Sequence, residues 1–242
     1  DHHNLLYRNL GNNRFQEVAV EAGLADTSWG MGCAAADLNN DGYSDLLITN
    51  KGKNLLYRNE GNGRFTDVST DSGVAGGDVW STSATFFDYN RDGLLDIYIV
   101  NYLKFRKGKR TFEAQQGFET ESSNFDATLF DSEPNRLYQN LGDFRFKDVT
   151  EKARVDNISG RGLAALPLDY NDDGFSDLIV SNDSGFPNAV FKNLHDGTFA
   201  DVTEQLNLHG ITATSTAASG DIDGNGDNEL FFGTLKGDSN LL

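Results

Sequence analysis

Short apolar runs separated by turns rich in Gly, Asn and Asp recur along the 242-residue chain. Each repeat opens with a stretch of mostly small residues, passes through an Asp/Asn/Gly loop, and continues into a β-branched and aromatic run such as 45–50. Runs of this kind, bounded by turn residues, predict β-strands. The small-residue stretches lie at 29–36, 80–87, 161–168 and 213–220.

The second half of each repeat predicts a β-hairpin. A strand bounded by Asn, such as 54–59, leads through a glycine-bearing turn into a short alternating strand, such as 64–68. The acidic loops begin at residues 37, 88, 169 and 221, about 51 residues apart except for about 30 additional residues in the middle interval. Four short strands in a repeat of this length predict an all-β fold, a β-propeller of four-stranded antiparallel blades.

The aromatic residue of each hairpin and the Asn that ends each second strand predict structure rather than chemistry. An aromatic repeated at one register usually packs, so we expect Tyr7, Tyr57, Tyr138 and Phe191 in the core between blades. We expect Asn50, Asn101 and Asn182, with Thr234 in the last repeat, to cap strand ends by side-chain to backbone hydrogen bonds. Helix is predicted only as single turns, for example at 150–154.

The acidic loops carry the candidate chemistry. Each nine-residue loop has oxygen-bearing side chains at positions 1, 3, 5 and 9 and a glycine at position 6, which permits a sharp turn. Ca²⁺ prefers six to eight oxygen ligands, and alternate residues of a tight loop can point inward together. A single such cluster would indicate an Asx turn, but four in register favour Ca²⁺ at every loop, four ions in all. The candidate ligands are Asp37, Asn39, Asp41 and Asp45; Asp88, Asn90, Asp92 and Asp96; Asp169, Asn171, Asp173 and Asp177; and Asp221, Asp223, Asn225 and Glu229.

These loops differ from an EF-hand. An EF-hand needs a bidentate Glu at position 12 and flanking helices. Position 12 here is apolar in every copy, and strands flank the loops. The fourth loop has Asn225 at position 5 and Glu229 at position 9, where the other loops have Asp, so we expect a weaker or looser site there.

Composition limits the partners and the other kinds of site that the chain can have. With 37 acidic and 20 basic residues, the net charge of −17 argues against a nucleic-acid partner. The single cysteine, Cys33, excludes an intramolecular disulfide framework, and we expect it to be a small buried core residue. No apolar run is long enough for a membrane span. The four histidines show no metal-ligand spacing and are expected at the surface, and Arg161 is expected to pair with a carboxylate.

The loop pattern, the apolar strand after it and the hairpin signature Asn-x-Leu-Tyr-Arg-Asn…Gly-x-Phe-x-Asp-Val together resemble FG-GAP/VCBS repeats. The passage 160–188 is most similar to the branch that contains the cartilage acidic proteins and the ASPIC/UnbV proteins. This resemblance covers the chain except the insertion. It implies a seven-bladed, integrin-α-like propeller that is secreted or surface-exposed, with a periplasmic location also open, and that has no established catalytic activity. It also implies Ca²⁺ at the loop positions given above, with the two departures in the fourth loop.

We predict one propeller region over residues 1–242, with an insertion at 102–134. The chain opens on the third strand of one repeat and ends at the start of another third strand, so it is either a fragment of a larger propeller or a four-bladed ring closed by its two ends; we favour the fragment. The insertion contains the basic stretch 104–110 around Phe105. This stretch would either recognise an anionic glycan or acidic partner, or be a solvated loop.

Two classes of function fit the sequence. The first is a non-enzymatic extracellular scaffold that binds a protein or glycan ligand. The second is the propeller part of a polysaccharide-active lyase or hydrolase, which would require acid, base or Arg groups converging outside the loops. The sequence offers Arg161 near the channel and little else, so binding is the favoured interpretation.

Overall fold

The computed structural model describes residues 3–104, 130–183, 185–208 and 210–234. These residues form short strands with three single-turn helices between them. The strands are β1 (Tyr7–Gly11), β2 (Arg14–Glu17), β3 (Trp29–Ala36), β4 (Asp45–Lys51), β5 (Leu55–Asn59), β6 (Phe65–Asp67), β7 (Ser81–Phe87), β8 (Asp96–Asn101), β9 (Leu103–Lys104), β10 (Asp131–Ser132), β11 (Arg136–Asn140), β12 (Phe146–Asp148), β13 (Gly162–Leu168), β14 (Asp177–Asn182), β15 (Ala189–Asn193), β16 (Phe199–Asp201), β17 (Thr214–Gly220) and β18 (Glu229–Thr234). The helices are α1 (Ala19–Ala22), α2 (Ser69–Ser72) and α3 (Thr150–Ala153).

Three four-stranded antiparallel sheets form complete blades. Their strand orders are β3-β4-β5-β6, β7-β8-β11-β12 and β13-β14-β15-β16, each running outward from its first strand. The strands β1 and β2 form an N-terminal half-blade and β17 and β18 a C-terminal half-blade, each a separate two-stranded sheet. The first strands β3, β7, β13 and β17 lie side by side, as the inner strands of a propeller do. The predicted all-β propeller is therefore confirmed. In the described residues, the two half-blades do not pair with each other to close a four-bladed ring.

Close packing explains why the inner strands use small residues. A Cβ added to Gly32 of β3 would lie 2.7 Å from the carbonyl oxygen of Thr82 in the next blade. A Cβ on Gly162 would clash with a methyl carbon of Val100. Neighbouring blades therefore approach too closely at these positions for a larger side chain.

The hydrophobic core lies between successive blades. Tyr57, Tyr138 and Phe191 are each at most 7% exposed and pack against the helical turn and adjoining residues of the preceding blade or half-blade, as predicted. Tyr7 is 56% exposed, which corrects the prediction for this residue. The helical turn of a preceding repeat covers the equivalent rings, and in the described residues no such turn lies before β1 to cover Tyr7.

The strand-end asparagines cap backbone groups as predicted. The side-chain amide of each donates to a carbonyl at the start of the following hairpin, at 2.7–2.8 Å. The pairs are Asn50 with Lys53, Asn101 with Pro134, and Asn182 with Pro187. This bond fixes where each second strand ends.

Two residues differ from their predicted surroundings. Cys33 was expected in the core, but it is exposed. It lines an open cavity between β3 and the segment 4–6 beside the N-terminal half-blade. Arg161 is buried, but its guanidinium lies 4.4 Å from the centre of the Phe186 ring and donates to the Phe130 carbonyl at 3.1 Å. Among the described residues no carboxylate lies within ion-pair distance of Arg161, so its charge is stabilised by a ring and a carbonyl rather than by an acid.

The insertion begins and ends in a small two-stranded sheet, in which Leu103 pairs with Ser132 and Lys104 with Asp131. Residues 105–129, and so most of the basic stretch, lie outside the described residues, as do 235–242 and His209. Within the described part of the chain, no helix has the length and apolar character needed to cross a membrane.

Candidate metal centres

The four acidic loops fold in the same way. The carboxylate at position 1 accepts hydrogen bonds from the backbone N–H groups of positions 5 and 6, and this wraps the loop around it. For Asp37 the donors are Asp41 at 3.1 Å and Gly42 at 2.7 Å. Asp88, Asp169 and Asp221 accept the equivalent bonds at 2.8–3.1 Å.

The glycine at position 6 is required by the backbone. Its φ is 87° at Gly42 and Gly93, 85° at Gly174 and 100° at Gly226. A residue with a Cβ adopts this region at a steric cost. The turn predicted from the sequence is therefore present in all four copies.

The carboxylate at position 9 is completely buried in the three complete blades, at Asp45, Asp96 and Asp177. One of its oxygens accepts the N–H of loop position 2. The other accepts the N–H of an Asn that ends the third strand of the same blade. These third-strand donors are Asn59 at 2.9 Å, Asn140 at 2.8 Å and Asn193 at 2.7 Å.

Two of these asparagines, Asn140 and Asn193, also link successive blades, a role that sequence reasoning missed. The amide of Asn140 donates to the Leu38 carbonyl in the loop of the preceding blade, at 2.8 Å. The amide of Asn193 donates to the Tyr89 carbonyl in the same way. The recurrence of Asn at the end of every third strand was the available signal. The first two loops are therefore fastened both to their own hairpin and to the hairpin of the next blade.

Burial shifts the acidity of the ninth carboxylates. Desolvation raises the pKa of Asp96 to about 7, with smaller increases from the nearby Asp92 and Asp88 carboxylates, against the lowering effect of its two backbone donors. Burial likewise raises the pKa of Asp45 and Asp177. Among the described residues, no Lys, Arg or His forms an ion pair with a carboxylate of the first, second or fourth loop. A cation is thus the missing counter-charge that would favour the ionised state.

The fourth loop brings three carboxylates together. One oxygen from each of Asp221, Asp223 and Glu229 lies within 4.8 Å of the others. Two ligands at 2.3–2.6 Å from one Ca²⁺ can be at most about 5 Å apart, so this spacing fits a calcium ion. In the described part of the chain, no other set of three acidic, His or Cys ligand atoms is this compact. The residue expected to loosen the site, Glu229, is long enough to reach the other two acids.

In the first two loops the acids are tied to the amide at position 3. The amide of Asn39 donates to Asp41 at 2.8 Å, and that of Asn90 donates to Asp92 at 2.8 Å. The corresponding amide nitrogen of Asn171 is buried and finds no hydrogen-bond partner among the described residues. All these loops present hard oxygen donors, which fit Ca²⁺ by chemistry.

The third loop has basic neighbours that the sequence did not reveal. Nε2 of His195 lies 2.9 Å from a carboxylate oxygen of Asp173, and the imidazole stacks on Phe175 with ring centres 4.0 Å apart. Lys192 reaches the same oxygen at 4.0 Å. His195 was expected to be an ordinary surface histidine, but the fold places it against a candidate metal ligand.

The fold and the loops together define a class of protein: a β-propeller whose blades carry an acidic loop between the first and second strands. A sequence profile of the FG-GAP-like repeat matches residues 1–48, 37–99 and 169–232, well over half of the chain. The chain belongs to this FG-GAP-like repeat family.

Two known proteins place the chain further. Cartilage acidic protein 1 of Xenopus tropicalis is 30% identical over 106 residues, which cover 42% of this chain and 16% of that protein. An Agrocybe aegerita lectin, whose structure is described as showing specific recognition of non-reducing terminal N-acetylglucosamine, is similar with a TM-score of 0.51 and 19% identity. That match covers 94% of this chain and 54% of the lectin chain. The chain therefore spans about half the length of the solved propeller and a small part of the curated relative. At this identity the lectin shows the fold alone.

Proposed function

We propose that this chain is a non-enzymatic, calcium-binding β-propeller region that presents its surface to a protein or glycan ligand outside the cell or on its surface. The observation that carries the calcium part is the repetition of one acidic loop in four equivalent places. In the first two copies the buried ninth carboxylate has no basic partner among the described residues. The proposed ligands are the side chains at positions 1, 3, 5 and 9 of each loop.

The chain's own residues would make calcium a structural ion. The backbone donors of positions 5 and 6 hold the first carboxylate, and the third-strand Asn holds the ninth, so both acids are already oriented. Bound Ca²⁺ would supply the positive charge that offsets the repulsion within each cluster. Because the same asparagines reach the preceding blade, filling one loop would also stiffen the contact between blades.

A binding role has three supports. The chain belongs to the FG-GAP-like repeat family, a relative is cartilage acidic protein 1, and a propeller of similar fold is a lectin. A rigid β scaffold with loops at its ends is a common arrangement for ligand recognition. Calcium loops of extracellular modules bind at about 10⁻⁴–10⁻³ M, which suits a secreted or surface location.

The alternative function, a polysaccharide-active enzyme, has weaker support. Arg161, the basic residue that the sequence offered, lies against the ring of Phe186. Tyr102 donates its hydroxyl to Asp183, and burial, followed by this bond, raises the pKa of the phenol. Arg161 thus contacts Phe186, and Tyr102 is hydrogen-bonded to Asp183. These contacts favour a structural role for both residues over acid-base chemistry.

The stoichiometry of bound calcium tests the proposal. Protein dialysed against about 2 mM CaCl₂, near the upper end of the expected affinity range, should retain four ions per chain by elemental analysis. Replacing the first carboxylate of one loop at a time should remove one ion each time, using Asp37→Ala, Asp88→Ala, Asp169→Ala and Asp221→Ala. A matched control, Asp143→Ala, alters an exposed acid outside the loops and should leave the count unchanged. If the protein retained no calcium, the loops would not be metal sites, and only the propeller fold would support a binding role.

A further inference from the structure

Hydrogen bonds connect the ninth carboxylate of the first loop to that of the second. Asn140 ends β11, and its backbone N–H donates to the buried Asp96 carboxylate of the second loop at 2.8 Å. Its side-chain amide donates to the Leu38 carbonyl of the first loop, also at 2.8 Å. The Leu38 N–H in turn donates to the buried Asp45 carboxylate at 2.9 Å. The two carboxylates are therefore joined through two residues, each of which bonds to a ligand of its own loop.

The same arrangement continues from the second loop to the third. The Tyr89 N–H donates to Asp96 at 3.1 Å, and the Tyr89 carbonyl accepts the side-chain amide of Asn193 at 2.8 Å. The backbone N–H of Asn193 donates to the Asp177 carboxylate at 2.7 Å. One continuous hydrogen-bond chain therefore joins the ninth carboxylates of the three complete blades. Its members, in order, are Asp45, Leu38, Asn140, Asp96, Tyr89, Asn193 and Asp177.

This hydrogen-bond chain lies in the interior of the propeller. Each of its members is at most 4% exposed. Hydrogen bonds shielded from water are electrostatically stronger than exposed ones, and bonds in series polarise one another. A buried polar group that loses its partner is also costly, so these groups move together rather than separately. The position of one ninth carboxylate is therefore tied to the position of the next.

A second set of contacts joins neighbouring loops nearer the surface. Asn40, at position 4 of the first loop, donates its amide to the carbonyl of Gly93 at position 6 of the second, at 3.0 Å. The guanidinium of Arg91, at position 4 of the second loop, lies 5.0 Å from the centre of the Phe175 ring in the third. Asn40 and Arg91 have the same backbone conformation, with φ of 58° and 60°. Position 4 of each of these loops thus contacts the turn of the next loop.

We infer that calcium binding at the first three loops is positively coupled, with Asn140 and Asn193 as the residues that transmit the coupling. The inference rests on the calcium sites proposed above and adds a dependence of each site on its neighbour. Binding at one loop requires its ninth carboxylate to be held in place, and this fixes the backbone groups that donate to it. Those groups belong to residues that also bond to the neighbouring loop, so part of the ordering needed there is complete before a second ion binds.

The charge of the loops acts in the opposite sense. The first loop has three carboxylates, Asp37, Asp41 and Asp45, so one bound Ca²⁺ changes its charge from −3 to −1. The second and third loops have the same number of acids. A filled loop therefore attracts an ion to its neighbour less strongly than an empty loop does. Salt screens this attraction between solvent-accessible charges much more than it weakens a buried hydrogen-bond chain, so we expect positive coupling in about 0.15 M salt.

Removing the middle site tests the coupling. Asp88→Asn changes a first-position carboxylate outside the hydrogen-bond chain, and the number of ions bound at saturation should fall by one. In calorimetric titration with CaCl₂, the first and third loops should bind about fivefold more weakly or worse. Charge predicts the reverse, because the empty variant loop has a charge of −2 and the filled loop one of −1. Asp221→Asn, the matched change in the fourth loop, should leave the other affinities unchanged, since no hydrogen bond among the described residues joins the third loop to the fourth.

Cutting one link while keeping every proposed calcium ligand tests the assigned residue. Asn140→Ala removes the amide that reaches Leu38 and keeps the backbone N–H that donates to Asp96. Both the variant and its parent carry Asp221→Asn, so that only the three coupled sites are titrated. The parent should show a Hill coefficient above about 1.3, and Asn140→Ala should lower it.

Asn59→Ala is the matched control for the cut link. Asn59 donates its N–H to Asp45 and its side-chain amide to the Ser44 carbonyl, both at 2.9 Å and both within its own blade. Its loss cuts no link between the described loops, so the Hill coefficient should stay at the parent value. Equal losses in the two variants would overturn the assignment to Asn140. A Hill coefficient of 1 in the parent, with unchanged neighbours in Asp88→Asn, would overturn the inference and leave the calcium sites standing, whereas a protein that binds no calcium would overturn both.

Discussion

The loops of the complete blades and the loop of the C-terminal half-blade share one sequence pattern but use the ninth residue differently. Asp45, Asp96 and Asp177 are fully buried and held by two backbone donors. Glu229 is half-buried, accepts one described backbone donor, and reaches Asp221 and Asp223. Where the outer strands of the blade are present, they bury the ninth carboxylate and supply one of its backbone donors. We expect the ninth carboxylates of the first three loops to contribute to folding stability with or without metal. We expect Glu229 to contribute only through calcium binding.

The largest effect is expected from removing a buried ninth carboxylate. Asp96→Ala leaves the buried N–H groups of Asn140 and Tyr89 without acceptors and should cost about 3–5 kcal/mol of unfolding free energy. Glu229→Ala, the matched change in the fourth loop, should cost at most about 2 kcal/mol, mainly the lost calcium binding, because Glu229 is not fully buried and accepts one described backbone donor. Urea unfolding in calcium measures both. Equal costs would contradict the distinction between the two kinds of loop.

The calcium-free protein should lose stability as pH rises. The folded pKa of Asp96, about 7, is above its ordinary value of 3.8, so protonation favours the folded state. This contribution is complete below the unfolded pKa and is lost as pH increases through the folded one. In EDTA, raising the pH from about 5 to about 8 should lower the unfolding free energy by about 2–3 kcal/mol.

Two variants sharpen the pH experiment. Asp96→Asn should flatten the slope, although Asp45 and Asp177, whose pKa values are also raised by burial, will leave part of it. Asp223→Asn changes an exposed acid and should leave the slope intact. Stability that increased over this pH range without calcium would show that the buried acids are not the destabilising groups.

An intermediate effect is expected from Glu229→Gln. The change removes one charge from the compact set of three acids while keeping the side-chain length. The bound calcium should fall from four ions to three, with little change in the melting temperature of the calcium-free protein. Elemental analysis and a melt in EDTA measure the two quantities. A large loss of stability in the calcium-free protein would show that Glu229 stabilises the fold directly, as the buried ninth carboxylates are expected to do.

The smallest effect concerns His195. Its Nε2 lies 2.9 Å from a carboxylate oxygen of Asp173 and would compete with a cation for that oxygen. His195→Ala should raise the calcium affinity of the third loop by less than about fivefold, since exposed polar and charge pairs are weak. Lys147→Ala, a change of a charged residue outside the loops, is the control for calorimetric titration. An unchanged or lower affinity in His195→Ala would exclude the competition.

The local features of this fold could be predicted from sequence, and the features that depend on neighbours could not. The stretch 29–36 forms β3 as expected, and the glycine at loop position 6 has the positive φ that its pattern indicated. The exposure of Tyr7 and Cys33 depends instead on which strands lie beside them. The bonds from Asn140 to Leu38 and from His195 to Asp173 join separate repeats or distant parts of one blade. A repeat pattern shows each unit but not the contacts that join them.

A thermal melt in about 2 mM CaCl₂ against excess EDTA tests the central claim, that the acidic loops are structural calcium sites, most directly. At about 2 mM, calcium is at about two to twenty times the expected Kd, so each site adds about 0.6–2 kcal/mol and four sites should raise the melting temperature by about 5 °C or more. The double variant Asp169→Ala and Asp173→Ala should lose part of this rise. A melting temperature indifferent to calcium in the wild-type chain would contradict the account, and the four loops would then be turns.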